Sequence, residues 1–372
     1  MIMPDTSSHT RHTREPLIRM VKRDEMPGWK GIAVRAMAVL GALVAGALLI
    51  LALGHNPIAV YADMIDGSIG SGSVFKETIR LAIPLLIASL AVSLAFKMRF
   101  WNIGAEGQIL AGAIASSYFA LFCYGLMPSW LLILVMCLAG MLAGGLYGLI
   151  PAFFRARWNT NETLFTLMLN YIALCLLKYL QSGPWKDPKL NGFPKIAMFD
   201  ASARLPKVFG IHIGWIIAVF LVVAVYVYMT RTKHGYEISV VGESSNTARY
   251  AGIKVGKVMM RTMLISGALA GLVGFLQVSG ADYTLTETTA GGVGFTAITV
   301  AWMSKLNPFV MVVVSLFIAM LEKGAGRIQT TFKIPSSASD VLVGIVLFFL
   351  LGCEFFINYQ LVLRHKGEKK HG

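Results

Sequence analysis

The 372 residues are 56% hydrophobic and 14% charged, with a formal net charge of +14. A soluble globular domain carries roughly 25% charged residues; here the charges cluster between apolar runs too numerous to fill one soluble core, which excludes a soluble domain and points to one helical membrane domain. Nucleic-acid binding is excluded too, because the aromatic residues lie inside the apolar runs and not beside the Lys and Arg that would grip phosphate.

Residues 1–33 read as a basic cytoplasmic arm with Arg11, Arg14, Arg19, Lys22, Arg23 and Lys30. The first apolar run, 34–54, is long enough to span, since ~20 helical residues cross a ~30 Å hydrocarbon core. It is longer than a signal-peptide core and follows a long arm, so it reads as a retained anchor. Runs at 81–96, 103–122, 130–154, 163–180, 211–230 and 262–280 follow, then two shorter ones at 293–304 and 309–321, and a last at 341–359. The short pair leaves half-helices and full spans both open. The fold class expected is an all-α polytopic membrane protein with about ten transmembrane helices. Its membrane domain occupies 34–359, and a basic cytoplasmic tail at 360–372 carries Arg364, His365, Lys366, Lys369 and Lys370.

Loop charge sets the orientation, because positively charged loops stay cytoplasmic. With the N-terminus inside, Lys97/Arg99, Arg155/Arg157, the 231–261 loop and the tail fall inside. Segments 55–78, 125–129, 182–210 and 281–292 then fall outside. Lys323, Arg327 and Lys333 dissent, lying outside if both short runs cross. The 181–210 segment, with Pro184, Pro188, Pro194 and Pro206, reads as an extracytoplasmic cap, either a connector or a docking surface. Gly140, Gly144 and Gly148, and again Gly267, Gly271 and Gly274 with Ala270, give small faces that let helices approach closely. Such faces serve packing within the chain or an interface between subunits.

Nothing in the sequence assembles a catalytic centre. The histidines are not spaced for metal or triad chemistry, Cys123, Cys137, Cys175 and Cys353 lie apart in apolar stretches, and no phosphate-binding Gly-rich loop is present. Neither an enzymatic activity nor a cofactor is expected. Three segments nevertheless stand out. Arg99-Phe100-Trp101-Asn102-Ile103-Gly104-Ala105-Glu106-Gly107-Gln108 sets polar groups at the mouth of a span, read either as an interfacial anchor with a helix-start carboxylate or as a tight backbone turn dipping into the membrane. In 161–172, Thr160 or Asn161 caps a helix, and Thr163, Thr166 and Asn170 share one face, which bonds neighbouring helices or lines a solute path. In 235–253, Ser244, Ser245 or Asn246 caps a short helix running to Ala251, closed by a left-handed Gly252. Such a helix is marginal in water and needs something to dock against.

Together these segments resemble the permease family of bacterial ABC importers for simple sugars and nucleosides. Asn102-Ile103-Gly104-Ala105-Glu106-Gly107-Gln108 is the most specific match, and Gly242-Glu243 through Ile253 resembles the family's coupling segment. Asn161-Glu162 with Leu167-Met168-Leu169-Asn170-Tyr171, and Gly183-Pro184-Trp185-Lys186-Asp187-Pro188 with Phe193-Pro194, are similar to its nucleoside branch. The resemblance covers about residues 75–355. It implies a fold related to ten-helix importer permeases such as those for vitamin B12. It also implies a cytoplasmic ATP-binding subunit, an extracytoplasmic solute-binding protein and a second, different permease subunit, all at a bacterial inner membrane. Carried over, Glu243, Ala248, Arg249, Gly252 and Ile253 are expected at the ATPase contact. Asn102, Glu106, Gln108, Thr166 and Asn170 are the candidates for the translocation path. The solute expected first is a nucleoside or nucleobase, with a simple sugar second. An ion-coupled secondary transporter is the competing class; it needs intramembrane relays, for which only Glu106, Glu354 and His212 offer themselves.

Overall fold

The computed structural model describes residues 18–22, 28–188 and 194–363. Arg11, Arg14, Arg23, Phe193 and the charges of the basic tail therefore lie outside the described residues, as does the side chain of Glu354. Thirteen α-helices occur among them. They are α1 (Gly28–Ala52), α2 (Pro57–Ile69), α3 (Gly72–Lys97), α4 (Ala105–Phe122), α5 (Ser129–Trp158) and α6 (Glu162–Ser182), then α7 (Gly214–Arg231), α8 (Lys233–Glu243), α9 (Ser245–Tyr250) and α10 (Val255–Leu276), and last α11 (Val293–Met303), α12 (Pro308–Thr331) and α13 (Ser336–Asn358). The strands are short: β1 (Ile18–Lys22), β2 (Lys207–Val208), β3 (Ile211–His212) and β4 (Tyr359–Leu363).

The chain divides into two units, Met1–Gly46 with Ile345–Gly372, and Ala47–Gly344. In the first, β1 pairs antiparallel with β4, and the ring of Phe349 covers Gly41, where an added Cβ would come within 2.8 Å of it. The two ends of the described chain thus lie together.

The second unit is built around α3 and α10. In each, the most apolar stretch is 83% and 78% buried within the protein, whereas in α5, α6 and α7 it is 28%, 22% and 22%. A helix apolar all round suits a bundle centre or a lipid span, and here burial assigns α3 and α10 to the centre. The glycine faces seal that centre from within the chain. Gly144 lies against Gly267 and Gly271, Gly140 against Gly271, and Gly112 of α4 against the same Gly271, so close that a Cβ at Gly271 would overlap the Gly140 carbonyl. Lipid gives helices no hydrophobic reason to associate, so small residues and interhelical hydrogen bonds take over. Ser266 donates to the Ala91 carbonyl (2.6 Å) and Ser116 to that of Met136 (2.9 Å).

Among the described residues seven helices are long and apolar enough to cross a membrane, or eight if α1 and α2, bent by 112° at their junction, count as one span. This differs from the ten expected. α4 is not among the seven, because Glu106, Gln108, Ser116 and Ser117 dilute its apolar surface. The 293–304 run becomes α11, 11 residues and about 16 Å long, half of a ~30 Å core. The 309–321 run is the start of the 24-residue α12. Hydropathy fades at Glu322 while the backbone hydrogen bonding continues. A charge further along the helix is matched: Arg327 meets Asp63 and Asp66 of α2, each at 3.4 Å. Ile50, Val60, Ile328, Ile334 and Leu342 form an apolar cluster.

α10 runs on through a π-helical turn, Gln277–Asp282. The 194–213 segment is fastened there: Leu205 N–H donates to the Ser279 carbonyl (3.0 Å), Phe199 N–H to that of Tyr283 (2.8 Å), and Ser279 Oγ to that of Ala203 (2.6 Å).

Candidate functional site

Two regions gather the residues singled out by the sequence. The first is a buried polar junction where α4 begins. Between α3 and α4 the chain makes an irregular turn, and its backbone groups need partners inside the bundle. Asn170 provides two: its amide donates to the Ile103 carbonyl (2.9 Å) and its carbonyl oxygen accepts from Gly107 N–H (2.8 Å). Thr166 Oγ accepts from Ile103 N–H (3.2 Å). Asn102 and Gln108 pair amide to amide (3.3 and 3.2 Å), and Asn102 Oδ1 also accepts from Gly104 N–H (3.1 Å). All four side chains are buried. The stripe on α6 therefore hydrogen-bonds a neighbouring segment. Gly107 is needed because a Cβ there would press on Asn170 at about van der Waals overlap, 2.9 Å from its Oδ1.

Glu106 behaves differently. It is half-buried and lies in the first turn of α4, yet its oxygens accept from Gly292 and Gly294 N–H, both at 2.8 Å. These are orphan donors at the start of α11, where the helix dipole favours a carboxylate. At the far end of α11, Trp302 stacks on Trp101 with ring centroids 5.6 Å apart. α11 is thus pinned at both ends to the 101–106 turn. No local pattern announces the Gly292 and Gly294 contacts, which join residues 186 and 188 positions apart.

The second region is the 232–261 segment. Thr232 caps α8, accepting from Gly235 N–H (3.1 Å). Ser244 caps α9, accepting from Thr247 N–H (3.2 Å). Gly252, at φ +77°, closes it, and the N–H of Ile253 reaches the Ala248 carbonyl (2.9 Å). Ala248 is buried; Glu243, Arg249 and Gly252 are exposed and Ile253 is half-buried. Tyr250, 94% exposed, stands out at the tip. The sequence alone did not single out this aromatic, although it directly follows Arg249. The segment is not loosely hung. Arg261 of α10 pairs with Glu237 of α8 (2.9 Å), and Gly242 packs on the Lys97 carbonyl at the end of α3. Both central helices are therefore tied to α8, which leads directly into α9.

A cavity of about 900 Å³ opens beside α9, lined by the end of α5, by Ser245 and Arg249, and by residues 253–260. The positive clusters at Lys97, Arg155/Arg157 and 233–261 thus meet at one end of this unit. His212, the relay candidate outside the spans, is buried beside α7; its Nδ1 accepts from Gly214 N–H (3.2 Å). Among the described residues no three His, Cys, Asp or Glu side chains gather to hold a metal ion.

A buried helical centre, long apolar helices around it and a half-length helix clamped to the 101–106 turn define a multi-pass helical membrane protein. The chain belongs to the family described as "Branched-chain amino acid transport system / permease component", whose profile matches residues 74–351. It is 33% identical to a glucose ABC transporter permease protein of Haloferax volcanii, covering 92% of this chain and 93% of that one. It is 31% identical to a guanosine ABC transporter permease protein of Bacillus subtilis (86% and 92% covered) and 31% to a nucleoside ABC transporter permease protein of Lactococcus lactis (91% and 98% covered). A second guanosine and a second nucleoside permease protein of those two organisms also match, at 27% and 28% identity. The chain is accordingly an ABC permease, a transport component and not an enzyme.

Proposed function

We propose that this chain is the membrane subunit of an ATP-driven importer that moves a nucleoside or nucleobase across a bacterial inner membrane by alternating access. Both termini and the α8–α9 segment face the cytoplasm, where an ATP-binding subunit docks. A solute-binding protein docks outside, near the 181–210 and 281–292 segments. A second, different permease completes the path, a reading supported by the two permease proteins named for each of the guanosine and nucleoside relatives. The chain crosses ten times: the seven apolar helices are joined by α1, by α4, and by the 283–303 segment with α11 at its inner half. On that count Arg327 lies outside beside Asp63 and Asp66, so its charge is met by carboxylates and does not oppose the orientation.

The observation that carries this reading is α9. Glu243, Arg249, Gly252 and Ile253 present a surface to the ATPase while Ala248 anchors it below. The ties through Arg261–Glu237 and Gly242–Lys97 pass force to α10 and α3. Glu106 borders the path, where its partial exposure leaves it wet. Asn102, Gln108, Thr166 and Asn170 act on the path indirectly, holding the turn that carries Glu106.

The test is uptake of radiolabelled guanosine and glucose into proteoliposomes holding both permeases and the ATPase, supplied with the loaded binding protein. Uptake that needs ATP on the ATPase side and persists with proton and sodium gradients collapsed supports the proposal. Uptake that stops with those gradients and ignores ATP supports a secondary transporter instead. The sugar reading is favoured by one observation, the 33% identity to a glucose permease, and glucose uptake without guanosine uptake would select it.

A further inference from the structure

We propose that the groove beside α9 is a socket for a carboxylate-bearing, apolar-tipped segment of the ATP-binding subunit, so that the permease receives an element of its motor as well as offering α9 to it. This rests on the preceding reading that an ATPase docks at α9.

Three elements build the groove: the last turns of α5, α9 itself, and the 253–260 stretch that opens α10. Its cavity of about 900 Å³ lies in the 300–1,000 Å³ range that binding clefts occupy, roughly. Five of its lining residues are cations and none is a carboxylate. One cation is already engaged: Arg155 pairs with Glu162 (3.3 Å) and donates to the Thr160 carbonyl (2.9 Å). Arg157, Arg249, Lys254 and Lys257 are exposed and meet no carboxylate among the described residues. Like charges around a concave wall repel each other and focus a positive potential, which an anionic partner relieves. The lining is not all charge. Phe153, Met259 and Met260 add apolar surface to it, and Phe153 is 48% exposed in this chain alone. Protein contacts combine apolar side chains with solvated charge in this way.

The groove also has a mechanical consequence. Its α5 and α10 walls are the two helices held backbone to backbone by Gly144, Gly267 and Gly271, and its third wall is α9. A segment seated there grips the lever and the bundle centre together. The continuity of the groove with α9 favours the ATPase over a lipid headgroup as the source of the negative charge.

The experiment measures binding of the ATP-binding subunit to the permease complex in nanodiscs of phosphatidylcholine alone and with added phosphatidylglycerol, at low and high salt. The variants are Lys254→Glu/Lys257→Glu and the neutral Lys254→Gln/Lys257→Gln, each checked for monodispersity. The proposal expects the wild type to bind more weakly as salt rises. It expects affinity about tenfold lower or worse for the Glu pair, an intermediate loss for the Gln pair, and the same order in both lipid compositions. Equal affinity of the wild type and the Glu pair at low salt would overturn the socket and leave α9 docking intact. A loss confined to discs containing phosphatidylglycerol would assign the groove to lipid and overturn it as well. Absence of ATPase binding to the wild type would remove both the socket and the reading beneath it.

Discussion

Glu106 sits in the first turn of α4, yet both of its oxygens serve another helix. Removing them leaves two backbone N–H groups at the start of α11 without acceptors, and each such loss in a buried setting costs about 1–3 kcal/mol. Glu106→Gln keeps one carbonyl oxygen, so its unfolding midpoint in detergent should fall less than that of Glu106→Ala; equal midpoints would deny the clamp. His212 supplies a second prediction. Burial first, then the positive charges of Arg80 and Lys207, lower its pKa to about 4. An unfolded histidine titrates near 6.5, so the unfolded chain takes up this proton first as pH falls. The stability held above pH ~6.5 is then lost progressively toward pH ~4, on the order of 3 kcal/mol at most. His212→Asn should flatten the pH dependence of the midpoint across that window, and an unchanged slope would contradict the assignment.

The elements differ in how much of them the sequence reveals. Caps are local chemistry. Residue order narrows the cap of α6 to Thr160 or Asn161 and that of α9 to Ser244, Ser245 or Asn246, and the structure selects Asn161 and Ser244, each accepting from an N–H three residues on. Helix length is less legible. Charge ends an apolar run without ending a helix, so α12 outruns its hydropathy by ten residues, and only Asp63 and Asp66, far away in sequence, explain how Arg327 is tolerated. The glycine faces announced close packing but not their partners. Because α5, α10 and α4 meet at Gly271, Gly271→Leu should lower the midpoint substantially, since overpacking alone typically costs about 1–3 kcal/mol. Gly326, with open space around it, is the control: Gly326→Ala should be neutral or stabilising by about 0.5–1 kcal/mol. Similar losses at both positions would mean the seam is not the tight contact described.

In the molecule as a whole, the membrane class and the positively charged end were legible because both are compositional. The groove was not, because its cations come from α5, α9 and α10 and converge only on folding. The polar junction was half legible: Asn102, Gln108, Thr166 and Asn170 were marked as unusual for a membrane segment, while their mutual bonding depends on α6 lying against the 101–108 turn. On the proposed function these regions act together: α9 receives force, and α3 and α10 carry it to the turn at Glu106. ATP hydrolysis and solute uptake, recorded on the same proteoliposomes for the wild type and Arg249→Glu, test that claim most directly. The account predicts that the wild type couples the two, and that Arg249→Glu inserts normally and loses about nine-tenths of its uptake, because a like charge brought against the partner costs several kcal/mol, roughly. Uptake by Arg249→Glu at the wild-type rate per ATP hydrolysed would contradict it.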